Sequence, residues 1–156
     1  EFFNLICVLC STFLPERVDF DDLYYKTVQY IEGEFSTKEM FRKYIVWELK
    51  LLQSLGFGLD LGKCVVSGSK EDLKFVSPKS GCAVSSKSSA GWEKKLLVLP
   101  EFLGSLSSGE NLSKAEIEDG FKLTEYFIKK NLQPVKRFQM TPFFSLRNRL
   151  LSLKSL

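Results

Sequence analysis

The sequence predicts a mainly α fold. A helical bundle formed by residues 1–56 and 112–156 is interrupted over 57–111 by a small irregular zinc-ribbon-like β insertion that has lost its metal ligands. Three observations predict this. Apolar residues recur at three- and four-residue steps before residue 56 and again after residue 112. Two capping boxes, Ser36–Glu39 and Ser113–Glu116, mark helix starts directly ahead of the clearest stripes. Between them the chain turns rich in Gly, Ser and Lys with only short apolar pieces, the texture of turns and small strands.

Taken in order, residues 2–14 ("FFNLICVLCSTFL") read as an apolar helix ended by Pro15. The run is far shorter than the ~20 apolar residues of a membrane span. It has no positively charged leader or small-residue cleavage site, so a core helix is expected and no membrane partner. Asp19, Asp21 or Asp22 caps a second helix to about Glu32, with Gly33 as its stop and Leu23, Tyr24, Tyr30 and Ile31 as its apolar face. From Ser36, a third helix carries Phe41, Tyr44, Ile45, Leu49, Leu52 and Leu55 on one face, widened by Trp47 and Leu51. Trp47 lies on that stripe and is expected in the core rather than stacked on a base. Gly56 ends the helix as a left-handed cap.

"LKFVS" (73–77) and "CAVSS" (82–86) predict two strands around the turn Pro78–Gly81, and a short turn of helix follows near Pro100–Leu103. After Ser113, Ile117, Phe121, Leu123, Thr124, Phe127 and Ile128 form one broad face that Pro134 ends. A last helix starts at Thr141–Pro142, with Pro in the favoured first position. Phe144, Leu146, Leu150, Leu151 and Leu153 form its apolar face.

At 156 residues, 44% hydrophobic and 26% charged, the chain can bury a real core. It contains no histidine. That removes Ser-His and Cys-His nucleophilic pairs and imidazole metal ligation together. Its four cysteines, Cys7, Cys10, Cys64 and Cys82, are expected as reduced thiols. Cys7 and Cys10 are spaced C-x-x-C without a second pair, and read as small apolar residues on a helix face. A thiol enzyme would have to use Cys64 or Cys82, activated by Lys63 or Lys87. The expectation is no enzyme and no cofactor.

Charge is unevenly placed. Residues 1–34 carry seven acids against Arg17 and Lys26. After Glu125 there is no acid, and Lys129, Lys130, Lys136, Arg137, Arg147, Arg149 and Lys154 follow. The run points either to a polyanionic partner or to cations favoured at helix C-termini and on solvated faces.

"GFGLDLGKCVVSG" (56–68) contains a frame close to the zinc-knuckle pattern C-x-x-C-G, as Cys64-Val65-Val66-Ser67-Gly68. A ribbon needs a second C-x-x-C about 15–20 residues on, and there the chain offers Ser85 and Ser88 in "VSSKSS". The ligand positions are then Cys64, Ser67, Ser85 and Ser88, of which one is a thiol. A neutral serine hydroxyl is a poor zinc ligand, so no metal is expected. The loop would hold its shape through hydrogen bonds and a cluster of Leu73, Phe75, Val76, Val84 and Leu97. The alternative is a coincidental spacing with no ribbon geometry.

"WELKLLQSLGFGLDLGKCVVSG" (47–68) followed by "LKFVSPKSGCAVS" (73–85) resembles the C-terminal part of the bacterial recombination mediator family RecO. "LLVLPEFL" (96–103) and "AEIEDGFKLTEYFIKKNL" (115–132) fall in that family's order. Some members carry a four-cysteine zinc site and others have lost it, and this chain resembles the second kind. The resemblance implies an N-terminal oligonucleotide-binding barrel upstream of, and absent from, this chain. It implies a non-enzymatic role in DNA repair and recombination, in the cytoplasm on the nucleoid. The implied partners are single- and double-stranded DNA, RecR, and the acidic C-terminal tail of single-stranded-DNA-binding protein, with strand annealing and RecA loading as the outcome. On this basis the cations after Glu125 are expected to face DNA, and Arg42, Lys43 and Lys50 of the third helix to grip the tail beside an apolar stripe.

Overall fold

In the computed structural model, the residues described are 1–104, 112–134 and 141–152. Three helices come first: α1 (Phe2–Phe13), α2 (Asp21–Glu32) and α3 (Thr37–Ser54). A three-stranded sheet follows, β1 (Leu73–Val76), β2 (Ala83–Ser85) and β3 (Leu97–Val98). Then come the one-turn α4 (Glu101–Gly104), α5 (Lys114–Asn131) and α6 (Thr141–Leu151). The fold is mainly helical, as the periodicity predicts.

α1 buries Phe2, Leu5, Ile6, Leu9 and Phe13 along one stripe and stops ahead of Pro15, with Leu14 N–H donating back to Cys10 O at 3.0 Å. α3 buries Phe41, Tyr44, Ile45, Trp47, Glu48, Leu51 and Leu52, a surface too wide for one partner. It therefore packs on both α2 and α5. Phe2, Phe41, Tyr44 and Phe121 meet there in edge-on and tilted ring contacts with centroids 4.9–6.0 Å apart. Gly56 closes α3 at φ +86°, the left-handed value only glycine takes without strain. Gly120 on α5 is needed for closeness: a Cβ there would sit 2.8 Å from Ile45 Cδ1 and 3.2 Å from Phe102 Cζ.

α2 departs from the sequence expectation. No side chain caps its start, where Phe20 is the N-cap. Asp21 and Asp22 instead lie in its first turn, where the helix dipole favours them. Gly33 is extended at φ −79° and is no left-handed stop. Tyr24 and Ile31 are 65% and 51% exposed, and Leu23 is the residue of α2 that is buried. The apolar face is thus narrower than expected, with Thr27, Val28 and Tyr30 half-buried beside Leu23.

The sheet order is β2-β1-β3, antiparallel throughout, with Val76 paired to Ala83 on one side and to Leu97 on the other. The turn between β1 and β2 closes with Gly81 N–H donating to Ser77 O at 2.8 Å. The Gly-rich segment after α3 is stitched alongside: Asp60 N–H donates to Gly81 O, Ala83 N–H to Asp60 O, and Val65 N–H to Ala83 O, at 2.8–3.1 Å. Val76, Ala83, Leu99 and Phe102 join the same core as the helices. Lys130 Nζ at the end of α5 donates to Pro78 O at 2.6 Å and Lys79 O at 2.9 Å, tying the turn to the bundle. Among the described residues no helix is long and apolar enough to cross a membrane.

Candidate functional site

The knuckle positions converge. Cys64 is buried where the Gly-rich segment meets β2. Its Sγ accepts from Ser67 N–H at 3.5 Å and from Ser85 N–H at 3.3 Å. Ser85 Oγ donates to Ser88 Oγ at 3.1 Å, so all four positions form one hydrogen-bonded group. Gly68, the knuckle glycine, takes φ +73° and donates its N–H to Cys64 O at 2.8 Å. Burial pushes the Cys64 thiol up, but the hydrogen bonding of Ser67 and Ser85 to the sulfur outweighs it and brings the thiol down to about 5. Neither Lys63 nor Lys87 is the cause. Cys64 Sγ has no open path to a substrate, the residue being 1% exposed. Val76 and Val84 of the expected apolar cluster are buried, and Leu73, Phe75 and Leu97 are half-buried. Among the described residues no group of three or more Cys, Asp or Glu is placed to hold a metal.

A second site lies between α2 and α3. A cleft of 210 Å³ is lined by Lys26, Gln29 and Tyr30 from α2 and by Arg42, Lys43, Val46 and Trp47 from α3. An adjoining cleft of 230 Å³ shares Lys26 and Val46 and adds Leu49, Lys50, Gln53, Leu59 and Leu61. Arg42 and Lys43 thus line the first cleft and Lys50 the second, with Lys43 and Lys50 on one helix face as positions seven apart. Their charges are partly occupied. Arg42 Nε donates to Glu39 Oε2 at 2.9 Å, which holds the Glu39 carboxyl below its ordinary value. Lys43 Nζ lies 3.7 Å from Glu39 Oε1 and 4.5 Å from the centroid of the Phe35 ring. Lys50 Nζ donates to Asp22 Oδ2 at 2.9 Å and depresses that carboxyl in turn. Trp47 in the groove wall is 1% exposed, with Nε1–H donating to Thr27 Oγ1 at 2.8 Å. Sequence reading missed Lys26, whose side of the groove follows only once α2 is laid against α3.

The C-terminal cations separate into different roles. Lys136, Arg137 and Lys154 lie outside the described residues, as does Leu153. Lys129 is exposed and pairs with Glu125, with its Nζ 4.5 Å from the Phe144 ring centroid. Lys130 holds the β1–β2 turn. Arg149 is exposed. Arg147 corrects the expectation. It is 0% exposed and is spent inside the core on Glu48 of α3, with Thr124 and the Phe121 carbonyl of α5. A guanidinium so enclosed cannot reach a phosphate.

With this geometry in place, comparison with known proteins is specific. The family model described as recombination protein O C terminal matches residues 2–138. A DNA repair protein RecO from Cereibacter sphaeroides is 37% identical over 150 residues, covering 96% of this chain and 60% of the relative. The protein of the same name from Rhodospirillum rubrum is 41% identical over 128 residues, 78% of this chain and 50% of the relative. That from Rickettsia canadensis is 40% identical over 130 residues, 83% of this chain and 53% of the relative. The chain thus spans between 50% and 60% of the length of these curated relatives. No solved structure gives a significant match.

Proposed function

The chain belongs to the recombination protein O C-terminal family, and from that premise we propose that it is a non-enzymatic DNA repair and recombination mediator module. In this reading it supports DNA binding, strand annealing and RecA loading together with RecR and single-stranded-DNA-binding protein. The carrying observation is the α2–α3 groove, lined by the cations Lys26, Arg42, Lys43 and Lys50 together with the apolar Val46, Trp47, Leu49 and Leu59. That pairing suits a peptide tail that ends in apolar side chains, acidic residues and a free carboxylate. The hydrogen-bonded knuckle of Cys64, Ser67, Ser85 and Ser88 supports reading 57–111 as a ribbon that keeps its frame without metal. Lys129, Lys130 and Arg149, with Lys136, Arg137 and Lys154, are proposed for DNA; Arg147 is withdrawn from that set.

A second reading has an observation behind it. Arg147 is buried, Lys129 is paired with Glu125 and Lys130 is engaged by two carbonyls, so the described cations after Glu125 are largely committed within the chain. This favours a helical partner-docking module with no direct nucleic-acid contact.

One experiment separates them. Fluorescence anisotropy is recorded with a labelled dT oligonucleotide and, separately, with a labelled acidic peptide ending in an apolar residue and a free carboxylate. In the mediator reading, Lys129→Gln/Arg149→Gln lowers the log–log salt slope of DNA binding by about one unit for each phosphate that is no longer neutralised, while Arg42→Gln/Lys43→Gln abolishes peptide binding. Peptide binding without DNA binding establishes the docking module. Absence of both refutes the groove assignment as well.

A further inference from the structure

The insertion presents an indole that neither the groove nor the C-terminal cations use. Trp92 is 60% exposed, where Trp47 is 1% exposed. Two short 3-10 turns, Lys87–Ser89 and Glu93–Lys95, flank it. Their backbone is tied at successive steps. Ser89 Oγ donates to Ser86 O at 2.8 Å, Trp92 N–H to Ser89 O at 2.7 Å, and Lys95 N–H to Trp92 O at 2.8 Å. Gly91 makes the reversal between the turns at φ +80°. The Ser85–Ser88 hydrogen bond fastens the first turn to the knuckle. An exposed indole held on a turn this well tied is pre-ordered for a partner, since its backbone entropy is already spent.

The surroundings are basic. Lys94 and Lys95 follow two and three residues after it and are exposed, with Glu93 the acid between. The Glu93 carboxylate turns back to accept from Gly91 N–H at 3.3 Å. Lys95 Nζ lies 4.8 Å from the indole centroid. An aromatic ring with a cation a few ångströms from its centre is the pairing that stacks a base and neutralises its phosphate at the same time.

We propose that Trp92 is a base-stacking platform for single-stranded nucleic acid, with Lys94 and Lys95 on the neighbouring phosphates. The inference rests on the reading of the chain as a DNA-binding module and locates a contact that reading does not name. It requires strand selectivity. In a duplex the bases are already stacked on one another, so the indole gains nothing there, while an unpaired base offers a free face.

The test uses the whole chain and its own fluorescence. A dT oligonucleotide of about 15 nucleotides is expected to quench the exposed Trp92 emission, over a constant background from buried Trp47. Trp92→Phe removes the quench and keeps most of the affinity, because phenyl also stacks. Trp92→Ala weakens dT binding about tenfold and leaves binding to a duplex of equal length unchanged. Lys94→Gln/Lys95→Gln lowers the salt slope instead. Oligonucleotide binding with unchanged emission and a Trp92→Ala affinity equal to wild type overturns the platform and spares the DNA-binding reading. No oligonucleotide binding by the wild-type chain overturns both. Quenching by an acidic peptide and not by the oligonucleotide assigns the surface to a protein partner and also overturns the proposal.

Discussion

Arg147 on α6 and Glu48 on α3 form a two-pronged ion pair across 99 residues of sequence, Nε to Oε1 at 2.9 Å and Nη2 to Oε2 at 2.6 Å, with neither side chain exposed. Thr124 Oγ1 donates to the same Glu48 Oε2 at 2.6 Å, and Arg147 Nη1 donates to Phe121 O at 3.1 Å. The guanidinium also stacks 4.2 Å from the Phe121 ring centroid. The last helix is therefore clamped to α3 and α5 by polar bonds as well as by its apolar face.

Breaking one side of this pair leaves an uncompensated buried charge. Arg147→Met should cost about 3–5 kcal/mol by urea unfolding, and Glu48→Leu a similar amount. The double variant Glu48→Leu/Arg147→Met should recover most of the loss, because two apolar side chains can replace a buried pair at little net cost. Additive losses in the double-mutant cycle would show that the two residues are not coupled.

The two serine caps should not be equal, since the structure completes the expected capping box at α5 and not at α3. At α5, Ser113 Oγ accepts from Glu116 N–H at 3.2 Å and Glu116 Oε2 accepts from Ser113 N–H at 3.0 Å, so the box is complete. At α3, Ser36 Oγ accepts from Glu39 N–H at 3.3 Å, but the Glu39 carboxylate is engaged by Arg42 and does not reach back. Ser113→Ala should thus cost about 1–2 kcal/mol and Ser36→Ala about 0.5–1 kcal/mol. Thermal or urea unfolding in which Ser36→Ala is the more damaging would reverse the ranking.

The elements with strong local signals are legible in the sequence. The stripes of α1, α3 and α5 lie inward as their spacing requires, and the hairpin forms around Pro78–Gly81. The burial of Arg147 runs against the sequence expectation, although a signal for it exists. It sits in step with Phe143, Phe144 and Leu150 on the buried face of α6, and Glu48 sits in step with Tyr44, Ile45, Leu51 and Leu52 on α3. One charge of each sign on two apolar stripes is the signature of a buried pair. The α2–α3 groove is half legible: positions 42, 43 and 50 follow from one helix, while Lys26 needs a tertiary contact that no local pattern encodes. Trp92 lies in a Gly- and Ser-rich stretch without period, so its exposure follows only from the turns that carry it.

Cys64 should behave as a thiolate that reagents cannot reach. Its thiol sits at about 5 in the folded chain, against an ordinary value of 9.0. A depressed acid group stabilises the fold above its unfolded value and loses that contribution as pH falls toward its folded value. The stability gap between wild type and Cys64→Ala should accordingly narrow as pH is lowered from about 9 to about 5. Ellman's reagent should meanwhile modify exposed Cys7 quickly and Cys64 only on unfolding, since Cys64 is 1% exposed. Rapid native-state labelling of Cys64, or a gap that does not change with pH, would contradict this picture.

The knuckle frame makes the sharpest demand. Cys64 Sγ already accepts the backbone N–H of Ser67 and Ser85, and Ser85 and Ser88 touch through their hydroxyls at 3.1 Å. Amide-to-sulfur bonds of this kind favour the thiolate form that a metal binds. Three further thiols at Ser67, Ser85 and Ser88 would complete a Cys₄ set, whose Zn–S bonds of about 2.3 Å need the four sulfurs to converge. The triple variant Ser67→Cys/Ser85→Cys/Ser88→Cys should bind one zinc per chain by elemental analysis. Its melting temperature should then rise with zinc and fall again with chelator, because metal bound only by the folded state adds its binding free energy to folding. The wild-type chain should show no chelator effect, since a serine hydroxyl does not replace a thiolate. Zinc in the wild type would refute the serine argument. A triple variant that folds without taking zinc would show that the C-x-x-C-G spacing arises without ribbon geometry.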